Sequence, residues 1–307
     1  MTKKRIGLIG LGDIAQKVYL PLLSVNEQVD IVGLMSSTQT TVDRMMMKYR
    51  VPFGTTDLNE LLDQELDAVF VHSPTATHYD IAMQSIERGV AVYVDKPLSY
   101  QWEQSLEMAS FAEKKGILLA TGFNRRFAPR YVEAKQWLQE AGGFDWASAV
   151  KHRTKQQGHS AKETLYDDLI HMLDLLIWLG EVPYEVKTYN QHADSEGKLL
   201  HASGTLDFGS AVGTYSMVRR AGFDMEKVEL HGSGRSVEIT NLEHAVFYEK
   251  GAAPSFRSFG SWDTVLERRG FASVVEHFLT SLGSPDSCSI RADRVLDSHQ
   301  LVERLSI

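Results

Sequence analysis

Asp167, His171 and Asp174 punctuate the stretch from Leu165 to Leu179, L-Y-D-D-L-I-H-M-L-D-L-L-I-W-L. At spacings of four and seven residues the three share one face of a helix. Their neighbours Leu169, Ile170, Met172, Leu173, Leu175 and Leu176 are apolar. A helix that is apolar almost all round is normally buried in a larger core. A carboxylate is seldom buried without a partner, because stripping its water is costly. The helix therefore carries a carboxylate–imidazole pair into surroundings where desolvation shifts pKa values, the setting of general acid–base chemistry. Two other readings stand beside this one. Asp167 can be a first-turn residue favoured by the helix dipole, with His171 a satisfied core histidine, or the group can be a metal site. Zinc is disfavoured, because Cys288 is the one cysteine and no H-E-x-x-H or clustered His pattern occurs.

Two further motifs carry chemistry. Gly10-Leu11-Gly12-Asp13-Ile14-Ala15 follows a short apolar run and opens a helical pattern. The first glycine permits a tight turn, the second lets the backbone approach a pyrophosphate, and the helix N-terminus attracts the anion. Gly10, Gly12, Asp13 and Ile14 are the candidate cofactor contacts. Glycines at a strand end are otherwise turn residues, and placement on the first strand of an alternating array is what gives the pattern weight. An NAD-type fold commonly ends its second strand with an acid for the ribose hydroxyls. Here that strand ends Leu34-Met35-Ser36-Ser37-Thr38, with Arg44 on the next helix. Hydroxyls can donate to a 2′-phosphate that no carboxylate repels, so NADP(H) is favoured over NAD(H). The alternative is that Ser36 merely starts a turn. The fourth strand ends in Val94-Asp95-Lys96-Pro97. This places a lysine at the carboxyl edge of the sheet, where ligands bind in such folds. A solvated loop lysine is the ordinary alternative, and its match with the distant Asp167–His171 helix favours function.

The elements that must position these groups come in two rhythms. Over the first 122 residues, apolar runs at 5–9, 29–34, 67–71, 90–94 and 117–121 alternate with helical patterns at 13–24, 40–49, 77–88 and 101–115. Such alternation predicts right-handed crossovers and a parallel sheet buried on both faces. After Gly122 the spacing predicts helices at 129–140 and 165–179. Strands follow at 186–190, 202–208, 211–217, 227–230, 236–239 and 245–248, with hairpin turns at 208–211 and 231–234. Helices close the chain around 271–282 and 291–305, and the polar stretch 156–164 reads as a loop near the site. The fold class is α/β: a doubly wound parallel sheet in 1–122, then an α+β domain with a largely antiparallel open sheet in 123–307. The last helices have the alternative of packing on the first domain.

Composition narrows the function. A chain of 307 residues is long for one core, and 43% hydrophobic with 23% charged residues is ordinary for a soluble globular protein. With 32 Lys and Arg against 40 Asp and Glu, the net charge of −8 disfavours nucleic acid and anionic membrane as partners. A single cysteine excludes an internal disulfide and fits a reducing compartment. The opening M-T-K-K-R-I-G-L-I-G-L-G has the basic-then-apolar order of a signal peptide, but the run is short and Asp13 interrupts it. No stretch approaches the roughly 18 apolar residues that span a bilayer. A cytoplasmic location is expected.

Taken in order, G-L-G-D-I-A, S-P-T-A-T-H ending at His78, D-K-P, G-F-N-R-R-F-A-P and D-x-x-x-H resemble the Gfo/Idh/MocA oxidoreductase family over essentially the whole chain. The segments V-D-K-P, G-F-N-R-R-F-A-P, L-x-D-D-x-x-H and E-R-R-G-F resemble its MviM-like branch. The resemblance implies a Rossmann domain followed by a substrate-binding and oligomerisation domain. It also implies reversible hydride transfer between nicotinamide C4 and a secondary alcohol or ketone of a sugar or polyol. It makes Lys96 the lysine that contacts substrate and nicotinamide, His171 the acid–base and Asp167 its acidic companion. Ser73, Pro74 and His78 fall in the loop beside the nicotinamide, while Asn124 and Arg126 line the substrate pocket. Asp95 replaces the usual glutamate in the cofactor set. Asp168 stands beside His171 in the substrate set, where the family often has glycine. A homo-oligomer, dimer or tetramer, is expected through the open sheet face. The alternative from another class is a non-catalytic NAD(P)-binding sensor, which would be expected to lose the lysine or the histidine; both are present.

Overall fold

The structure, a computed structural model, describes residues 3–306. The chain divides into two compact units. The first takes the described residues through Gly122 together with Val274–Leu296, and the second takes Phe123–Ser273 and the described residues from Asp297 onward.

In the first unit β1 (Lys4–Ile9), β2 (Val29–Met35), β3 (Gly54–Thr55), β4 (Ala68–Val71), β5 (Ala91–Val94) and β6 (Leu119–Thr121) form one sheet in the order β3-β2-β1-β4-β5-β6. All its pairs are parallel. Every residue of β4 and β5 is buried, as continuous apolar runs require when helices cover both faces. The strand order reverses between β1 and β4, so Gly10 and His72 leave the sheet at the switch point where ligands bind in such folds. The short β3 and the helix Leu58–Leu62, capped by the Asp57 carboxylate, were not legible as elements. Two paired residues give no period to read. The strand before Lys96 is consequently the fifth, not the fourth.

Val274–Leu296 completes this unit. Phe278 packs edge-on against Phe70 and Tyr93, each at 5.3 Å between ring centres. The Thr121 N–H donates to the Ile290 carbonyl at 3.0 Å, closing the β6 edge.

The second unit holds β7 (Trp146–His152), β8 (Glu185–Ala193), β9 (Leu199–Asp207), β10 (Val212–Val218), β11 (Met225–Gly232), β12 (Arg235–Thr240), β13 (His244–Glu249) and β14 (Ser255–Arg257). The order is β14-β13-β12-β11-β7-β10-β9-β8, antiparallel throughout except for the parallel pair β7–β10. Strand β7 escaped the sequence reading because its buried positions are Ala147, Ala149 and Lys151, which carry little hydrophobic signal. The β11–β12 turn has positive φ at Ser233 and Gly234, 51° and 79°, the mirror-image geometry that suits twisted hairpins. Helices Pro129–Gln139 and Ile170–Gly180 pack on β7, β10, β11 and β12. The stretch 156–164 is a loop only to Ser160, which caps a helical turn at Ala161–Thr164 together with Glu163. Among the described residues no helix is long and apolar enough to cross a membrane. Nor is any group of three or more His, Cys, Asp or Glu among them placed to hold a metal ion.

Candidate active site

In the first unit the groups gather at the carboxyl ends of β1, β4 and β5. Gly10 has φ of 85°, and a Cβ there would run into the backbone of Ser73, so only glycine lets the two strand exits pass side by side. A Cβ on Gly12 would meet no atom, which leaves open space over the start of the following helix. That helix contains a π turn at Ala15–Tyr19, closed by the Leu20 N–H on the Ala15 carbonyl. A bare backbone facing open space at a helix start, on the switch point, fits the pyrophosphate of a dinucleotide. Ser36 is half-buried, and Ser37 and Thr38 are exposed. The first carboxylate after them, Asp43, already accepts from Gln39 Nε2 at 2.8 Å.

The loops after β4 and β5 are pinned to each other. The Asp95 N–H donates to the Val71 carbonyl at 3.0 Å, and Asp95 Oδ1 accepts the Lys96 N–H at 2.9 Å. Lys96 is half-buried, and its bond to Pro97 is cis. His78, expected in the loop beside the nicotinamide, is buried as a strut between loops: Nδ1 lies 2.9 Å from the Pro97 carbonyl and Nε2 2.9 Å from that of Ser73. Burial pulls its pKa below the ordinary value; the carbonyl contacts work against this, and Lys96 adds a smaller downward push. In the neutral ring one of the two nitrogens donates.

Sequence reasoning missed His72. It is buried, stacks on Tyr19 at 3.7 Å, and holds Nδ1 3.9 Å from Asp95 Oδ2. Neither ring nitrogen has a hydrogen-bond partner. Burial, and then the neighbouring His78, push its pKa down to about 3. A lone histidine after an apolar strand offers nothing in sequence to distinguish it.

In the second unit the His171 helix begins with a π turn, Leu165–Leu169, closed by the Ile170 N–H on the Leu165 carbonyl. Such turns insert an extra residue and recur at functional sites. His171 is buried and Asp167 half-buried. Asp168 is buried and already engaged: Lys151 and Arg219 bond its carboxylate, and Arg153 Nε lies 3.8 Å away. Asp174, on the face read from the sequence, accepts Arg126 Nε at 2.9 Å, Arg126 Nη2 at 2.7 Å and the Ser298 hydroxyl at 2.7 Å. Asn124 donates from Nδ2 to the Arg269 carbonyl at 2.8 Å. Gly270, with φ of 77°, lies so close that a Cβ would strike the Asn124 carbonyl and the Ala128 nitrogen. These bonds tie the Asn124–Phe127 turn to Arg269 and to the helix that carries His171. Next to them Arg125 holds Glu226 through two bonds of 2.7 Å. Burial alone would raise the Glu226 pKa, but the guanidinium holds the carboxyl below its ordinary range.

Comparison with known proteins covers both units. Residues 4–123 match the family model described as oxidoreductase family, NAD-binding Rossmann fold, and residues 129–250 match the YceM-like C-terminal domain. The chain is 32% identical to YceM of Salmonella typhimurium over 99% of its own length and 98% of that protein. Two scyllo-inositol 2-dehydrogenases of Bacillus subtilis are also similar. One is named for NAD+, at 24% identity over 91% of this chain and 88% of that protein. The other is named for NADP+, at 26% over 67% and 60%. Among solved structures, the dehydrogenase MviM from Clostridium difficile superposes with a TM-score of 0.92 at 29% identity, covering 99% of this chain and 98% of that one.

Proposed function

The chain belongs to the Gfo/Idh/MocA family of NAD(P)-binding oxidoreductases, and from that premise we propose that it is a dehydrogenase interconverting a secondary alcohol of a sugar or polyol with the ketone. The observation that carries the reading is Lys96, its backbone N–H held by Asp95 at the carboxyl end of β5, on the sheet edge that also carries the Gly10–Gly12 turn. The names of the inositol dehydrogenases support the alcohol chemistry.

Bound nicotinamide supplies the hydride acceptor or donor. His171 takes the hydroxyl proton as the alcohol is oxidised and returns it to the oxygen in reduction. Lys96 donates a hydrogen bond to that oxygen and stabilises its negative charge, an effect that strengthens where water is excluded. Asp167 orients the imidazole and favours its protonated form. NADP(H) is the preferred dinucleotide, because Ser36, Ser37 and Thr38 offer hydroxyls where an NAD-type fold places an acid.

The test is a turnover assay with NAD+ and NADP+ across a panel of inositols, aldoses and sugar acids, read by absorbance of the reduced nicotinamide. His171→Ala and Lys96→Ala are each expected to lower kcat by about a hundredfold or more. Unchanged turnover in both variants would overturn the assignment.

A further inference from the structure

The buried ion pairs of the second unit are not all balanced. Arg125 bonds Glu226, and Arg126 bonds Asp174. Asp168 is different, because it faces three cations: Lys151, Arg219 and Arg153. Lys151 and Arg219 are buried, and Arg219 Nε has no hydrogen-bond partner. Arg153 keeps 27% of its side chain exposed and touches Asp168 only at 3.8 Å. A second carboxylate near Arg153 and Arg219 is Asp224, exposed and already accepting the Thr154 N–H at 2.8 Å and its hydroxyl at 2.9 Å. Glu226 also faces Lys151, and Arg125 also faces Asp168, so Arg125, Lys151, Arg153 and Arg219 meet Asp168, Asp224 and Glu226: four cations to three carboxylates among these residues.

The fold concentrates that surplus at one place. Because β7 and β10 pair in parallel, Arg153 and Arg219 leave the sheet at the same end, and the Arg153 N–H donates to the Val218 carbonyl at 2.8 Å. Asp168, in the π turn that opens the helix, precedes His171 by three residues. Burying charge without a counter-charge is unfavourable, and a purely structural cluster gains nothing from it. A guanidinium fork with unfilled donors matches the planar geometry of a carboxylate or the oxygens of a phosphate.

We propose that the Arg153–Arg219–Lys151 cluster receives an anionic group on the substrate, so that the protein acts on sugars bearing a carboxylate or phosphate in preference to neutral polyols. This rests on the dehydrogenase reading and narrows its substrate class. The oxyanion docks against Arg153, whose Asp168 contact is long, while Lys151 and Arg219 hold the positive field beneath it.

The experiment is calorimetric titration of the full-length, dinucleotide-loaded protein with D-glucuronate, D-glucose 6-phosphate and D-glucose. Wild type, Arg153→Gln and Arg153→Lys are compared, and melting profiles verify that each is folded. At least one acid is expected to bind about tenfold or more tightly than glucose, an advantage that shrinks as salt is raised. Arg153→Gln removes the advantage without weakening glucose or dinucleotide binding, and Arg153→Lys keeps most of it. Preference for glucuronate identifies a carboxylate as the anion, and preference for the phosphate identifies a phosphoryl group. Equal binding of glucose and both acids overturns the proposal, as does failure of both acids to bind or an acid preference that survives in Arg153→Gln. Dinucleotide affinity and the effect of His171→Ala on turnover, measured on the same preparations, judge the dehydrogenase reading separately.

Discussion

Arg126 meets Asp174 edge-on, its Nε and Nη2 lying 2.9 and 2.7 Å from the two carboxylate oxygens. The pair ties the Asn124–Phe127 turn to the helix that carries His171, with the Ser298 hydroxyl as a third strand of the knot. Both side chains are buried. Removing one partner leaves a charge stranded, so Asp174→Ala is expected to lose roughly 3–5 kcal/mol of stability by chemical denaturation. Arg126→Met should show a comparable loss. If Arg126 contacts substrate instead, Arg126→Met will raise KM and leave the denaturation midpoint in place.

His72 makes stability depend on acid. In the fold its ring stays neutral down to about pH 3, whereas in the unfolded chain it takes a proton near 6.5. Between those values the unfolded state binds more protons. Stability is therefore full above about pH 6.5 and falls as pH drops, by roughly 1 kcal/mol per pH unit. His78, also pulled down by burial, acts in the same direction. Denaturation curves between pH 7 and about pH 5 should show a shallower slope for His72→Phe, which keeps a ring against Tyr19. An unaltered slope would remove His72 as the cause.

The two glycines of the cradle should separate stability from binding. Gly10→Ala adds a methyl against the Ser73 backbone at positive φ, so it should lower the melting temperature and dinucleotide affinity together. Gly12→Ala meets no protein atom and should leave melting nearly unchanged while weakening the dinucleotide by about tenfold or more. Calorimetry with undiminished affinity in Gly12→Ala would place the pyrophosphate elsewhere.

Dinucleotide choice should turn on Ser36. Ser36→Asp puts a carboxylate where a 2′-phosphate would lie and should shift the NADPH-to-NADH affinity ratio toward NADH by about tenfold or more. Titration of both dinucleotides into wild type and variant checks it. A wild-type preference for NADH would mean that the missing acid carries no information.

What could be read from the sequence was what repeats. The buried strands β4 and β5 are unbroken apolar runs, and the helices beside them keep their period, so the first sheet was legible. Strand β7 was not, because alanines and a lysine face its core. At the site, spacing brought out Asp167, His171 and Lys96, whose types are chemically distinctive. It could not reveal that Asp168 is held by Lys151 and Arg219, residues 17 and 51 positions away, since ion pairs across a sheet leave no local period. Nor could it show Arg126 bound to Asp174, because an arginine in a pocket motif and one in a buried pair look the same in sequence.

The placement of Val274–Leu296 in the first unit has a bearing on how the chain is made. A ribosome delivers the six strands of the parallel sheet before the eight-stranded one, but Phe278 and Ile290, which cover Phe70 and Tyr93 and close β6, emerge only after it. The nucleotide-binding half must wait, with an aromatic surface uncovered, while the whole eight-stranded sheet is synthesised. The sheet translated before the other is therefore completed after it, and during that interval its rings are open to aggregation.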